Sequence, residues 1–188
     1  MTVRSGNFPV LKPNAQLLRE NARMHPGVDL SAVELMVEFA RVASEFFAEA
    51  DAFFAEFGIS RARFAVLVTL IGAPQGLGPA QIADSLQVTR ATMTGLIDTL
   101  EKARYVERRD DPNDRRMYTV VITAAGRSFL EELLPGNWRR ATVMMKVLSA
   151  RERTDLLRLL GKLDAGIHEA RIARDPGPQR ARPLRSRS

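Results

Sequence analysis

Apolar residues along this chain recur mostly at intervals of three and four, with one short stretch near residue 120 where they alternate. The first pattern predicts helices with a covered face, and the second predicts paired strands. Ser31 and Glu34 form a capping-box pattern with Leu30 and Leu35 as a staple, so a long helix is expected from Ala32 toward Phe57, ahead of Gly58. Two stripes run along it. Leu35, Phe39, Val42, Phe46, Phe53 and Phe57 make one, and Met36, Ala40, Ala43, Phe47, Ala50 and Phe54 make the other. Such a face is wider than one surface contact requires, so one stripe can meet its own chain and the other a partner.

Ser60 caps a second helix from Arg61 to about Ile71, with Phe64, Leu67, Val68 and Ile71 as core candidates. The stretch GAPQGLG predicts a turn and a short strand. Gly78 and Pro79 then open a short helix carrying Ile82, Ala83 and Leu86, which ends in a turn at Gln87. Thr89 begins the next helix by capping the N–H of Ala91 or Thr92, with Val88 stapled onto Met93. Met93, Leu96, Ile97 and Leu100 lie on its inner face. YVERR and RMYTVVI flank the turn DDPND and predict a hairpin, with Tyr118, Val120 and Ile122 alternating inward. Thr123 caps a further helix with Leu130, Leu134, Trp138, Ala141, Met145 and Leu148 on one stripe and a kink expected at Pro135. Ser149 and Glu152 start a last helix with Leu156, Leu160, Leu163 and Ile167 inward.

Two short helices joined by a tight turn and followed by a charged hairpin have the outline of a winged helix-turn-helix. The outward face of the second helix holds Arg90, Ala91, Thr94, Gly95 and Asp98. Small and polar, it suits a helix that enters a groove about 12 Å wide and sets hydroxyls, methyls and a guanidinium against base edges. An ordinary amphipathic helix with a solvated face has the same periodicity, and the flanking segments favour the first reading.

LGPAQIADSL, VTRATMTGLIDTLEKARYV and ERRDDPNDRRMYTVVITAAG, set between a long first helix and a closing helical pair, resemble the multiple antibiotic resistance regulator (MarR) family. The resemblance covers roughly residues 30–172 and is sharpest where DPNDRR runs into Thr123, Ala124, Ala125 and Gly126. It implies a mainly α fold with a small β wing, and DNA as the partner. First and last helices would form a dimerisation lobe. On this reading the candidate DNA contacts are Thr89, Arg90, Thr92 and Thr94 on the recognition helix, with Arg115 and Arg116 at the wing. Arg116 would enter the minor groove, oriented by Asp114. The family often binds small aromatic or lipophilic effectors, for which Phe46, Phe53 and Phe57 are pocket candidates, although core packing is the simpler role for each. Two positions depart from the family: Gly95 stands where many relatives carry a basic residue, and Arg104 where they usually carry Gly. The latter predicts a positive φ at Arg104.

The implied organisation is an N-terminal arm over 1–30, a dimerisation lobe from 31–59 with 126–172, a winged helix-turn-helix over 60–125 and a basic tail over 173–188. The arm is either a disordered terminus or an extension packed on a dimer partner. The tail, rich in Arg, Pro and Ser, cannot offset its ordering entropy by burial and is expected to be disordered, with a DNA-tracking arm as the alternative.

Composition narrows the chemistry further. With 45% apolar and 27% charged residues, the 188-residue chain can bury a sizeable core. Its apolar runs are too short to cross a bilayer and no signal segment opens it, so a cytoplasmic protein without membrane contact is expected. Having no cysteine, it can form neither a disulfide nor a thiolate metal site nor a thiol switch. A net charge of +6 favours a polyanionic partner, though much of the excess is in the tail. Enzyme chemistry finds no support: His25 lies in a Pro-Gly-flanked arm and His168 near a helix end, neither with a partner at ligand spacing. Asp110, Asp111 and Asp114 do not make a calcium loop, because Pro112 takes the third position, Arg115 the sharp-turn glycine and Val121 the closing glutamate. No cofactor or metal is expected. The rival to a DNA-binding regulator is a winged-helix module that binds another protein.

Overall fold

The computed structural model describes residues 20, 25, 27–110 and 118–174. Most of the N-terminal arm, the tail beyond Arg174 and the wing tip with Asp114, Arg115 and Arg116 lie outside these residues. The described chain runs α1 (Leu30–Glu56), α2 (Arg61–Ile71), α3 (Pro79–Ser85), α4 (Arg90–Lys102), β1 (Val106–Asp110), β2 (Tyr118–Ile122), α5 (Ala124–Met145) and α6 (Ala150–Arg174). It divides into two compact units, Met1–Pro135 and Gly136–Ser188, with the boundary inside α5.

In the first unit one core gathers residues from α1 through α5. Leu67, Leu70, Ile82, Met93, Ile97, Leu100, Leu130 and Leu133 are fully buried in it. Removing a side chain of that size from water stabilises by about 1.5–3 kcal/mol, so these positions fix the helices around the hairpin. On α2 the buried positions are Val66, Leu67 and Leu70, while Val68 and Ile71 are exposed and Phe64 is half-buried. The core-facing stripe is therefore rotated from the one expected. Both stripes are apolar, so periodicity alone does not choose between them.

Helix α1 begins two residues earlier than the capping-box pattern predicts. Asp29, not Ser31, is its cap: the carboxylate accepts the Ser31 N–H at 2.9 Å, the Ala32 N–H at 3.3 Å and the Ser31 hydroxyl at 2.7 Å. A charged acceptor outcompetes a hydroxyl for the free N–H groups of the first turn. Burial by its own chain is concentrated at one end of the helix: Ala50 and Phe54 are buried near its end, whereas Leu35, Met36, Phe39, Val42, Phe46 and Phe47 are exposed over the rest.

The hairpin pairs β1 with β2 antiparallel, Val106 opposite Ile122, Arg108 opposite Val120 and Asp110 opposite Tyr118. The simple alternation expected of β2 fails at Val121, which is buried beside Val120 and Ile122. Gly76 explains it. This residue has φ 85°, and a Cβ on it would stand 2.8 Å from the Val121 side chain, so the incoming loop lies on the outer face of the strand. Leu77 then exchanges both backbone hydrogen bonds with Val120, adding the expected short strand as a one-residue bridge.

Pro135 lies inside α5, which continues to Met145. In the second unit, α6 opens with the anticipated reciprocal cap: Glu152 accepts the Ser149 N–H at 2.8 Å and Ser149 accepts the Glu152 N–H at 3.3 Å. Leu156, Leu160, Leu163 and Ile167 do not point into a core of this chain, because all are exposed and α6 has no buried residue at all. The helix also continues to Arg174, past the expected start of the tail. Among the described residues no helix is long and apolar enough to cross a membrane.

Candidate nucleic-acid interface

Helices α3 and α4 meet through a turn that the sequence closes from both sides. Gly78 precedes Pro79, and the Gln81 amide oxygen reaches back to accept the Gly78 N–H at 2.8 Å. Buried Ala83, with no side chain beyond Cβ, lets the helices cross closely. The end of α3 is sealed by Gln87 at φ 53°, whose N–H donates to Asp84 O while the Val88 N–H donates to Ala83 O. Two satisfied carbonyls make a Schellman closure.

Helix α4 starts at Thr89 as expected. Its hydroxyl accepts the Thr92 N–H at 3.1 Å and lies 2.8 Å from the Thr92 hydroxyl. Thr89, Arg90, Ala91, Thr92, Thr94 and Gly95 are all exposed, whereas Met93, Ile97 and Leu100 are buried. All four candidate contacts of this helix thus lie on the exposed surface of α4. The Thr94 hydroxyl donates to Arg90 O at 3.0 Å, which leaves its lone pairs free to accept from a base. Nothing lies within 4 Å of where a Gly95 Cβ would be, so the middle of that surface is open.

At the other end of α4 the expected positive φ is present, 61° at Arg104. The Arg104 N–H donates to Glu101 O at 2.8 Å and the Tyr105 N–H to Leu100 O at 2.9 Å. The Thr123 hydroxyl donates to Arg104 O at 2.7 Å and accepts the Gly126 N–H at 3.1 Å, so one side chain caps α5 and ties it to the end of α4. A Cβ on Gly126 would lie 2.2 Å from Tyr105 O, and Tyr105 stacks on Phe129 with centroids 4.6 Å apart.

Arg108, which the sequence does not single out, adds a polar link between the hairpin and α4. Its guanidinium donates to Glu101 at 2.7 Å and to Asp98, with its carbon 5.1 Å from the centre of the Tyr118 ring. The Asp98 carboxylate above all raises its pKa, holding it charged. The signal was present in outline: Arg108 is two residues beyond buried Val106 on a strand, and two carboxylates stand three apart on the preceding helix. Arg115, Arg116 and Asp114 belong to the segment between the strands that is not described.

The effector-pocket candidates are not all together. Phe53 and Phe57 are half-buried, their ring centres 5.2 Å apart, and Phe53 also meets Phe54 at 5.4 Å. Phe46 is exposed two turns earlier, edge-on to Phe47. Among the described residues no group of three or more His, Asp or Glu is placed to hold a metal ion.

The sequence and the fold are similar to those of known proteins. A model of the MarR family matches residues 57–117, from just after α1 to just before β2. The chain is 29% identical over 152 residues to the transcriptional repressor YetL of Bacillus subtilis, covering 80% of this chain and 91% of that one. It is 31% identical over 119 residues to the transcriptional regulator PapX of Escherichia coli, covering 63% and 73%. The fold matches a mutant of MarR from Escherichia coli, solved in complex with operator DNA, with a TM-score of 0.64 and 25% identity over 72% of this chain and 99% of that one. With its helix-turn-helix inside the family's own pattern and a relative above 30% identity aligned along most of its length, the chain belongs to the MarR family.

Proposed function

We propose that this protein is a sequence-specific transcriptional repressor that binds a pseudo-palindromic operator as a homodimer. The observation that carries the reading is the open face of α4, where a capped helix start presents Arg90, Thr92 and Thr94 next to a β-hairpin. Two such helices reach successive major grooves when half-sites lie about one helical turn apart, roughly 34 Å. The wings would lie over the flanking minor grooves, with Arg116 entering them. A related repressor and a relative solved on its operator support this reading. The exposed apolar start of α1 and the exposed leucines of α6 supply the surface for the second copy. A small aromatic or lipophilic effector that favours one dimer arrangement would release the DNA, and Phe53 and Phe57 are the residues we assign to its pocket.

Selection from random duplexes tests the reading. The expected result is one enriched palindrome, footprinted over two half-sites. Affinity for it should fall steeply with salt as phosphate contacts release counterions. Arg116→Ala should cost about 1–3 kcal/mol of operator affinity, most on sites with A·T-rich flanks. Failure to bind any duplex at low salt would favour the protein-interaction module instead.

A further inference from the structure

We infer that Arg108 is a positioning residue for DNA reading, one that fixes the hairpin relative to the recognition helix and so sets the spacing between the two grooves they read. The inference rests on the DNA-binding reading above. Along β1 burial alternates: Val106 is buried, Glu107 exposed, Arg108 half-buried and Arg109 exposed. Val106 and Arg108 therefore share the face turned toward α4. At the base of the hairpin the contacts are apolar, Val106, Val120 and Ile122 packing into the same core as Met93, Ile97 and Leu100. Apolar contacts are non-directional and tolerate small rotations.

Arg108 is placed further out, toward the wing tip, and its contacts do have direction. One branch of the fork meets Asp98 and the other Glu101, one turn apart on α4, while the guanidinium lies near the ring of Tyr118 on the second strand. A planar fork with two carboxylate partners specifies an orientation as well as a distance. Its partners remain partly exposed, so the pair adds little to overall stability. Its contribution is angular.

Arg108 also balances two carboxylates near the DNA-facing helix, and the test must separate that role from positioning. Arg108→Met keeps the aliphatic stem and removes the fork. A triple variant, Arg108→Met with Asp98→Asn and Glu101→Gln, removes the fork and both carboxylates together. Arg108→Lys keeps the charge but replaces the planar fork with a freely rotating ammonium, which fixes no angle between the two partners. Each is measured against the selected operator, a scrambled duplex and an operator with one base pair inserted between half-site and A·T-rich flank, with a melting curve alongside.

The triple variant, one net positive charge richer than the parent, should bind scrambled duplex at least as tightly as the parent, yet lose at least about tenfold of its operator preference. It should also bind inserted and original operators alike, whereas the parent rejects the insertion. Arg108→Lys should melt near the parent and recover only part of the preference. A triple variant with full preference and unchanged spacing dependence would overturn the inference and leave Arg108 a charge balance only. Should that variant unfold, Arg108→Lys decides by itself, since parental behaviour from it would overturn the inference equally. A parent with no operator preference would instead refute the function proposed above.

Discussion

Gln87 and Arg104 both hold a left-handed backbone that glycine adopts more readily, at φ 53° and 61°. Each closes a helix with two satisfied carbonyls, and together they bracket the recognition helix. Neither cost is recovered by side-chain packing, since both residues are exposed. Arg104→Gly should therefore stabilise the protein by about 1 kcal/mol in thermal melts, because glycine avoids the Cβ penalty. A lower melting temperature would show that its side chain holds something in place. Gly126 is the converse case. A methyl there would meet the Tyr105 carbonyl, a backbone atom that cannot step aside, so Gly126→Ala should destabilise by about 1–3 kcal/mol. An unchanged denaturant midpoint would show that α5 can slide at that joint. Arg104 was legible in the sequence because the family resemblance set a glycine against it. Gln87 was not, since nothing in its chemistry marks a left-handed site, and Arg108 was not because its partners are on another element.

The starts and stops of helices were read well wherever one cap candidate stood alone, as at Ser60, Thr89, Thr123 and Ser149. They were misread at α1, where Asp29 and Ser31 compete and only the geometry ranks them. The faces of helices were harder. On α1 and α2 two neighbouring stripes are both apolar, and periodicity cannot say which the core takes or where along the helix the core ends. The caps make a further expectation. Hydrogen bonds from the Ser149 hydroxyl and then its backbone N–H lower the Glu152 pKa, and the Ser31 hydroxyl heads those that lower that of Asp29. A carboxyl whose pKa is lower folded than unfolded binds fewer protons in the folded state. Its stabilisation is complete above the unfolded value and is lost as pH falls through the folded one. Protection of the amides in the first turn of α6, measured relative to their intrinsic exchange rates, should therefore fall as the pH drops below the ordinary glutamate range, and Glu152→Gln should remove that acid dependence. An identical profile in the variant would assign the acid fraying elsewhere.

For the whole molecule the decisive observation is what stays uncovered. Leu35, Met36, Phe39 and Val42 at the start of α1 are exposed, as are Leu156, Leu160, Leu163 and Ile167 on α6. Periodicity in the sequence identified these side chains as ones that should be covered. The single chain leaves them in water, so their burial is assigned to the second copy in the dimer we propose. Leu160→Asp tests this cleanly, since an aspartate at an exposed site costs the isolated chain little but would be desolvated in a dimer. Sedimentation should show a monomer whose first unit keeps its cooperative melt, and a stable dimer of the variant would remove α6 from the interface.

The exposure of every residue in α6 has a consequence in the tube as well as in the fold. A helix with no buried residue in its own chain draws its order from whatever closes over it, so in a dimer that order becomes a matter of mass action. Diluting the protein should then loosen α6 before it disturbs the winged helix, and the transition of the second unit should move to lower temperature with each tenfold dilution. The level to which the chain accumulates in a cell would by itself set how much of it can grip two half-sites at once.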